Sequence, residues 1–484
     1  MRSGNSAERW TIPRWSTLRL SVLTAVAAVG VGMLTVGAHA VSGAGQSSAP
    51  PSATGVRAIV PAAAWSDQNG TLDQLHGVGV LKVGDMYYAY GEDKTNGGQF
   101  TAVACYSSTD LVTWKRGPNA LSLQASGDLG PNRVIERPKV LYNAATHKYV
   151  MWMHVDSTNY GDARAGVAES STPCGPYTYL GSSRPLGQLS RDLNLFEDTD
   201  GTAYLLSEDR NNGLRIDKLS DNYESVVSPV AVLADYEAPA MVKSGGMYYL
   251  FGSHLTGWNT NDNDYTTATS LAGPWSPWKT FAPAGTNTFD SQTSTIVPVA
   301  GNKGTTYIYV GDRWKPSDLF DSAPIWLPIS IGGGRAALQW VPSWTLEVAQ
   351  GTWSPQIRTD TYEAGGPGTT LADGAAVTTC TGCTGESAVS GLGTLTFDDI
   401  RVPTPGQYTM TIRYVNPENT DQHALLSTDG QAPVTIAFPP TGNGNTTGVA
   451  VATLNLHAGS NTLRFAKTGD TAPAIDTVAV PQPG

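Results

Sequence analysis

A repeated pair of sequence elements organises the middle of this 484-residue chain. The first element is a Tyr-rich run, mostly ending in a small or acidic residue: YYAYGE (87–92), YVMWMH (149–154), AYLLSE (203–208), YYLFGS (248–253) and YIYVGD (307–312). A strand–turn–strand pattern follows each, such as ATSLAGPWSPW (268–278). Four short strands per unit at such a period are typical of a propeller blade. The five copies predict an all-β chain with a five-bladed β-propeller over residues 61–355.

The alternative for this region is a two-sheet β-sandwich, which also has many short strands. Five ordered copies of the same pair of elements favour the propeller. The 53 Gly and 31 Pro residues suit short strands joined by turns. A chain this long usually forms two or three domains.

A polar residue stands about twelve positions before each Tyr-rich run. These residues are His76, Glu136, Asp192, Glu237 and Gln292. In a propeller the innermost strands surround a central channel, so we expect the five side chains to converge at one mouth.

Three carboxylates at one mouth repel each other and lose water, which raises the pKa of at least one of them. Glycoside hydrolysis needs such a proton donor, together with a second group that places water. The alternative is a structural ring that caps strand ends, pairs with Arg137 or Arg191, or holds a cation. Further candidates for sugar binding are Trp258, Trp314, Trp326, Arg313, Tyr160 and Asn159.

The motifs YGE, YSSTDLVTW, ERPKV, SRD, EAPA, TGW, SQ and GDRW resemble glycoside hydrolase family 43, and within it the exo-β-1,3-galactanases (galactan 1,3-β-galactosidases). The resemblance covers about residues 64–353. It implies that Glu237 is the general acid, that Asp192 tunes its pKa, that Glu136 contacts the substrate and that Gln292 holds the attacking water. It also implies inversion at the anomeric carbon.

The catalytic base stays open. Most family members carry an aspartate on the first blade, where this chain has LDQLHGVGV, and Asp73 stands three residues before His76. We expect an exo-glycosidase that releases galactose from β-1,3-galactan, the backbone of arabinogalactan, and needs no cofactor for catalysis. The alternatives are an α-L-arabinofuranosidase or β-xylosidase of the same family, or a propeller that binds glycans without cleaving them.

Residues 358–484 have sparse charge and alternating runs such as YTMTIRYVN, which predict a jelly-roll-like β-sandwich. YEAGG, GQYTMTIRY and APAIDTVAV resemble carbohydrate-binding modules of the family 6 and family 35 type. This resemblance implies a structural calcium ion at Glu363 and Asp476, although the usual second glutamate of YEAE is Gly365 here. The alternative is a spacer domain.

Residues 1–40 read as a secretory signal peptide: four Arg, an apolar stretch over 20–36, and the small-x-small site Ala38-His39-Ala40. An uncleaved anchor is the alternative. Residues 41–60, rich in Gly, Ser and Pro, predict a flexible linker. We therefore expect a secreted, extracellular protein with no membrane segment in its mature form.

Charge and cysteine content limit the partners. Without residues 1–40 the net charge of −11 becomes −14, which disfavours nucleic-acid binding. We expect a polysaccharide as the partner and a monomer. The pair Cys380 and Cys383 predicts a local disulfide, whereas Cys105 and Cys174 either pair or are simply buried.

Overall fold

Most of the described chain is β-strand in a computed structural model that describes residues 55–469 and 471–484. It begins with three short strands, β1 (Gly55–Val56), β2 (Ala58–Ile59) and β3 (Ala64–Trp65). Helical segments in the described ranges are limited to Asn287–Asp290 and the short turns Pro185–Gly187, Leu319–Asp321 and Thr384–Glu386. The all-β prediction is confirmed.

Five antiparallel sheets follow, each built from strands consecutive in the chain. The first contains β4 (His76–Val83), β5 (Met86–Glu92), β6 (Ala102–Ser108), β7 (Lys115–Arg116) and β8 (Leu121–Ser122). The second contains β9 (Arg133–Asn143), β10 (Lys148–Ser157), β11 (Arg164–Ser170) and β12 (Thr178–Ser183). The third contains β13 (Leu193–Glu197), β14 (Ala203–Asp209), β15 (Gly213–Leu219) and β16 (Val226–Val232). The fourth contains β17 (Glu237–Ser244), β18 (Met247–Ser253), β19 (Asp264–Ala268) and β20 (Lys279–Thr280). The fifth contains β21 (Gln292–Ala300), β22 (Thr305–Asp312), β23 (Ile325–Gly332) and β24 (Arg335–Leu338).

The first strands of the five sheets contact one another in a closed cycle: β4 with β9, β9 with β13, β13 with β17, β17 with β21, and β21 with β4. The Tyr-rich runs form the second strands β5, β10, β14, β18 and β22, which lie inside their sheets and bury their aromatic rings, as at Tyr90 and Tyr249. The cycle therefore gathers the residues at the start of the five first strands.

The remaining strands are β25 (Trp344–Glu347), β26 (Thr352–Pro355), β27 (Thr359–Glu363), β28 (Thr369–Ala372), β29 (Ala376–Thr379), β30 (Ser387–Ser390), β31 (Thr394–Val402), β32 (Gly406–Val415), β33 (Gln422–Thr428), β34 (Val434–Phe438), β35 (Gly448–Leu456), β36 (Gly459–Lys467) and β37 (Ala474–Pro481). From β27 onward they form two sheets that share one hydrophobic core. Phe397 and Phe465 come from one sheet, and Tyr408 and Ile412 from the other. We call this unit the C-terminal sheet pair.

The N-terminal strands are paired with later parts of the chain. Strand β1 runs parallel to β32, β3 runs parallel to β35, and β2 pairs with β25. The prediction of a flexible linker is therefore wrong for residues 55–60, because Val56, Ala58 and Ile59 are apolar and buried in these pairings. The predicted signal peptide and the rest of the linker lie outside the described residues. No helix in the described chain has the length and hydrophobicity to cross a membrane.

Both cysteine pairs form disulfides. Cys380 is joined to Cys383, as predicted. Cys105 is joined to Cys174 across a sequence separation of 69 residues, which settles the alternatives left open by the sequence.

Candidate active site

The five predicted residues lie at the start of the five first strands. His76, Glu237 and Gln292 are the first residues of β4, β17 and β21. Glu136 is the fourth residue of β9, and Asp192 immediately precedes β13. The predicted register along the chain is therefore confirmed.

A β-bulge follows three of these residues. The pairing register shifts just after His76, Glu136 and Glu237. The residues after the two glutamates, Arg137 and Ala238, have φ values of 51° and 52°, in the left-handed region. A bulge redirects a side chain, and non-glycine residues in this conformation cluster at functional sites. The strands are thus bent where the candidate catalytic side chains leave them.

These side chains line a cavity of about 290 Å³. Its lining residues are Glu92, Glu136, Arg137, His154, Tyr160, Arg191, Asp192, Glu208, Arg210, Glu237, Gly257, Trp258, Gln292 and Trp314. The structure therefore brings together Glu136, Asp192, Glu237 and Gln292. It also places Tyr160, Trp258 and Trp314 at the same cavity, as the sequence predicted.

Two predicted sugar-binding residues do not line this cavity. His76 is 1% exposed and lies behind Trp314, with the ring centroids 6.1 Å apart. Burial, reinforced by the charge of Lys94, lowers the pKa of His76 to about 3. Arg313 faces a neighbouring open cleft and pairs with Asp290 at 3.5 Å. His76 is therefore too buried to contact a substrate in the cavity, and that prediction is wrong. Arg313 lies in a cleft that shares Trp258 and Trp314 with the cavity, and its contact with substrate stays a prediction. Trp326, 2% exposed, belongs to the core.

Glu237 is a buried carboxyl group in the wall of the cavity. It is 4% exposed, and its Oε2 accepts a hydrogen bond from Arg210 at 3.0 Å. Burial, followed by the charges of Asp192 and Glu208, raises the pKa of Glu237 to about 8, although Arg210 acts in the opposite direction. At neutral pH this carboxyl group carries a proton.

Arg137 links the neighbours of Glu237. Its Nε is 2.9 Å from Oδ2 of Asp192, and its terminal nitrogen donates to Oε1 of Gln292. The same amide oxygen accepts the indole N–H of Trp314 at 2.8 Å, and the amide nitrogen of Gln292 donates to Oε1 of Glu237 at 3.1 Å. The side-chain oxygen of Gln292 thus accepts two hydrogen bonds, so the amide can present only N–H to the cavity.

The left-handed turn Asn287–Asp290 ends two residues before Gln292. All four of its residues have φ values between 51° and 58°. Thr288 Oγ1 accepts the backbone N–H of Asn263, and the side-chain oxygen of Asn263 accepts the backbone N–H of Thr293 at 2.8 Å. Several consecutive non-glycine residues in this conformation are costly, so the surrounding bonds must stabilise the turn. The backbone on both sides of Gln292 is therefore tightly constrained.

The pKa of Glu136 is shifted in the direction opposite to that of Glu237. Oε1 of Glu136 accepts the Tyr160 hydroxyl at 2.9 Å, and its Oε2 lies 3.2 Å from Nδ1 of His154. Burial opposes ionisation, but Lys94, His154 and Tyr160 together lower the pKa of Glu136 to about 2. His154 Nε2 contacts Asp156 at 2.9 Å; burial opposes protonation, yet these two carboxylates raise the pKa of His154 to about 9. Two of the glutamates at the cavity thus have opposite shifts: the pKa of Glu237 is raised and that of Glu136 is lowered.

The sequence did not lead us to the second-strand residues that lie beside four of the predicted residues. His76 pairs with Glu92, Glu136 with His154, and Gln292 with Asp312, while the backbone N–H of Glu208 donates to the carbonyl of Asp192. Glu92, His154, Glu208 and Asp312 all end Tyr-rich runs. The ionisable residue at the end of four of the five runs is visible in the sequence, and this signal could have identified these positions.

The calcium ion expected at Glu363 and Asp476 stays a prediction. The two carboxylates lie near each other, since the pKa of Asp476 is raised mainly by burial and further by the charge of Glu363. The Asp476 carboxylate accepts the backbone N–H of Thr384 at 3.0 Å and lies 3.4 Å from Nε of Arg413, which already supplies a positive charge. Within the described ranges, the one group of His, Cys, Asp and Glu side chains spaced for a metal is Glu136, His154 and Asp192. Both ring nitrogens of His154 are already engaged by carboxylates.

Comparisons with known proteins agree with this site. The family model described as Glycosyl hydrolases family 43 matches residues 74–313. A second model, CBM13-like (Alpha-galactosidase, CBM13 domain), matches residues 394–480. A C-terminal carbohydrate-binding module is therefore confirmed, although the matched description is not the family 6 or 35 type that the sequence resembled. The chain is 28% identical to a β-D-galactofuranosidase from Aspergillus niger over 215 residues, which are 40% of this chain and 60% of that protein, less than two thirds of its length.

Solved structures give longer matches. The exo-β-1,3-galactanase from Phanerochaete chrysosporium with β-1,3-galactotriose is 38% identical with a TM-score of 0.62, and the match covers 88% of this chain and all of that one. A putative exo-β-1,3-galactanase from Bifidobacterium bifidum is 43% identical with a TM-score of 0.56 over 58% of this chain and 95% of that one. The exo-β-1,3-galactanase from Clostridium thermocellum is 28% identical with a TM-score of 0.60 over 87% and 99%. With these matches and a protonated glutamate in a carboxylate-lined cavity, this chain belongs to glycoside hydrolase family 43.

Proposed function

We propose that the protein is an exo-acting galactan 1,3-β-galactosidase that releases galactose from β-1,3-galactan. The observation that carries this proposal is the pairing of a protonated Glu237 with an ionised Glu136 in one cavity. The structural relatives, two exo-β-1,3-galactanases and one putative exo-β-1,3-galactanase, suggest the sugar and the linkage.

In this mechanism Glu237 protonates the leaving glycosidic oxygen. Asp192 keeps that proton in place at neutral pH, because its negative charge helps raise the pKa of Glu237. Glu136 accepts hydrogen bonds from sugar hydroxyls, and Trp258 and Trp314 face the sugar ring. Gln292 orients the attacking water through its remaining amide N–H. As this water bonds to the anomeric carbon and the glycosidic bond breaks, its proton passes to a neighbouring solvent water. Glu237 then regains a proton from solvent. We propose direct displacement with inversion, for which two carboxyl groups stand far enough apart to admit water.

The architecture that we propose for this function is a five-bladed propeller followed by a β-sandwich. The closed cycle of β4, β9, β13, β17 and β21 supports five blades. The shared core of the C-terminal sheet pair supports the sandwich. The domain limits that we propose remain 61–355 and 358–484, with β1 to β3 contributing to both.

We further propose that the protein is secreted as a monomer after loss of residues 1–40, and that catalysis requires no cofactor. Two disulfides suit an oxidising compartment outside the cytosol. Amino-terminal sequencing of the protein recovered from the culture medium of an expressing host tests the processing. A start at or near residue 41 supports secretion, and retention of the leader contradicts it.

A furanosidase is the second candidate, since the chain matches a β-D-galactofuranosidase in sequence. Product analysis separates the two. Wild type and Glu237→Gln are incubated with β-1,3-galactan, arabinan, xylan and a β-galactofuranoside, and released sugars are identified. Free galactose from galactan, lost in the variant, supports the proposal. If wild type instead releases arabinose from arabinan, xylose from xylan or galactose from the β-galactofuranoside, the proposed substrate is wrong. Proton NMR of the first product gives the anomer, and a β-galactose product would contradict inversion.

A further inference from the structure

The segment between β22 and β23, residues 313–324, connects the catalytic cavity to the C-terminal sheet pair. At its start, Trp314 lines the cavity and donates its indole N–H to Gln292 at 2.8 Å. Further along, Phe320 packs against the hydrophobic core of the sheet pair, a core that also includes Ala64 and Leu72. We call residues 313–324 the bridging loop.

The bridging loop is closed by internal bonds. The backbone N–H of Lys315 donates to Ser322 Oγ at 3.0 Å, and Lys315 Nζ lies 3.4 Å from Asp321. These bonds join the residue next to Trp314 to the two residues that follow Phe320. A displacement of Phe320 is therefore transmitted to the backbone that carries Trp314.

The loop also meets the sheet pair through charge and a shared cavity. Asp321, whose side chain is 2% exposed, faces Asp421 of the sheet pair. Burial, followed by the charge of Asp421, raises the pKa of Asp321 to about 7. Phe320 and Asp321 also share the wall of a cavity of about 40 Å³ with Pro439 of the sheet pair. The contact thus joins a buried carboxyl group of the loop to partly buried residues of the sheet pair.

A second segment, from β3 to His76, also connects the sheet pair to Trp314. Strand β3 pairs with β35, and Ser66 Oγ accepts the backbone N–H of Ala437 at 3.0 Å. The chain then continues to His76, whose ring lies 6.1 Å from that of Trp314. Two segments that contact the sheet pair thus converge on one cavity residue.

We propose that the C-terminal sheet pair is part of the framework of the catalytic cavity: through Phe320 and the bridging loop it positions Trp314 against Gln292. The module would then act on the hydrolysis of small soluble substrates as well as on polymer attachment. Phe320 is a positioning residue in this proposal, which rests on the proposed function for its choice of substrate.

The test uses the full chain and β-1,3-galactobiose, a substrate too small to need attachment to a polymer. The variants are Phe320→Leu, Phe320→Val and Phe320→Ala. Leu371→Ala is the matched control, because Leu371 is a partly buried residue packed against the same core but on β28, outside the bridging loop. Melting temperature, kcat, KM and binding to polymeric galactan are measured for each.

We expect kcat on galactobiose to fall in the order Leu, Val, Ala, reaching about 10-fold for Phe320→Ala, since small misplacements at a site cost this much or more. Polymer binding stays at the wild-type level. Leu371→Ala lowers the melting temperature but leaves kcat within about twofold of wild type. The graded series keeps the test decisive if Phe320→Ala fails to fold.

Wild-type kcat in folded Phe320→Ala, or an equal loss of kcat in Leu371→Ala, overturns the proposal. If the wild-type enzyme releases no galactose from galactobiose, the proposed function has failed. The same variants are then compared on the glycoside that wild type does cleave, so the two failures are distinguishable.

Discussion

Glu237 and Gln292 open two different strands, β17 and β21, and the amide nitrogen of Gln292 donates to the carboxyl of Glu237 at 3.1 Å. The other end of the amide is fixed by Arg137 and Trp314. The amide therefore cannot rotate to present its oxygen to water without losing both bonds. Glu237 and Gln292 thus form one rigid unit, held by the charges and donors around it.

The indole N–H of Trp314 is the first target. Trp314→Phe keeps an aromatic face toward the cavity but removes the donor to Gln292. Losing such a bond costs about 1 kcal/mol, so we expect kcat to fall roughly 5- to 10-fold with a smaller change in KM. Trp258→Phe is the comparison, since Trp258 contacts Trp314 and Lys94 through its ring. An equal loss of kcat in the two variants would show that ring size, and not the hydrogen bond, matters.

Arg210 controls the alkaline limit of activity. Glu237 must be protonated to act, so kcat/KM should decline as pH rises through about 8. Arg210 lowers the pKa of Glu237 from a distance of 3.0 Å. In Arg210→Gln the alkaline limb should therefore move to higher pH, by on the order of 1 unit. Arg210→Lys keeps the charge and should retain the wild-type limb. A limb that stays in place in Arg210→Gln refutes the assignment.

His154 controls the acid limit. It keeps Glu136 ionised against burial, and the pKa of Glu136 is lowered to about 2. In His154→Asn the pKa of Glu136 should rise, and kcat/KM should decline at a higher pH on the acid side, by roughly 1 unit or more. His147→Asn changes an exposed histidine and is the control. Identical profiles between pH 3 and 6 for the two variants would contradict this role.

The two disulfides should differ in their effect on stability. Cys105–Cys174 closes a loop of 69 residues, whereas Cys380–Cys383 closes one of 3. The loop-closure relation gives about 4 kcal/mol for the first and roughly 1.5 kcal/mol for the second. Urea unfolding of the double Cys→Ser variants of each pair measures the difference. Equal losses would mean that the entropy of the unfolded chain is not the main contribution.

The fold class and the chain order of the site were predictable because the repeat carries them. A polar residue before each Tyr-rich run was enough to find Glu136, Asp192, Glu237 and Gln292. His76 obeyed the same pattern but does not line the cavity: its ring is buried 6.1 Å from the ring of Trp314, which lines the cavity instead. One-dimensional spacing contains no information about the direction of a side chain.

Other features depend on contacts between distant segments. Arg137 meets Gln292 across 155 residues, and nothing local in either motif indicates the pairing. The strands β1 and β3 are two residues long, too short for a periodic pattern. They pair with the start of β32, which β37 does not reach, and with the outer edge of β35. The ion pair of Arg413 with Asp476 is likewise a contact between distant segments that neither motif indicates.

The most direct test of the central claim, that Glu237 is the proton donor, compares two leaving groups in Glu237→Gln. A β-1,3-linked galactobiose needs protonation of its leaving oxygen, whereas 2,4-dinitrophenyl β-galactoside does not. We predict that kcat/KM on the disaccharide falls by about 10²- to 10⁴-fold, the usual contribution of a general acid, while the dinitrophenyl substrate loses less than about 10-fold. Equal losses on both substrates, or a disaccharide rate near that of wild type, would contradict the account.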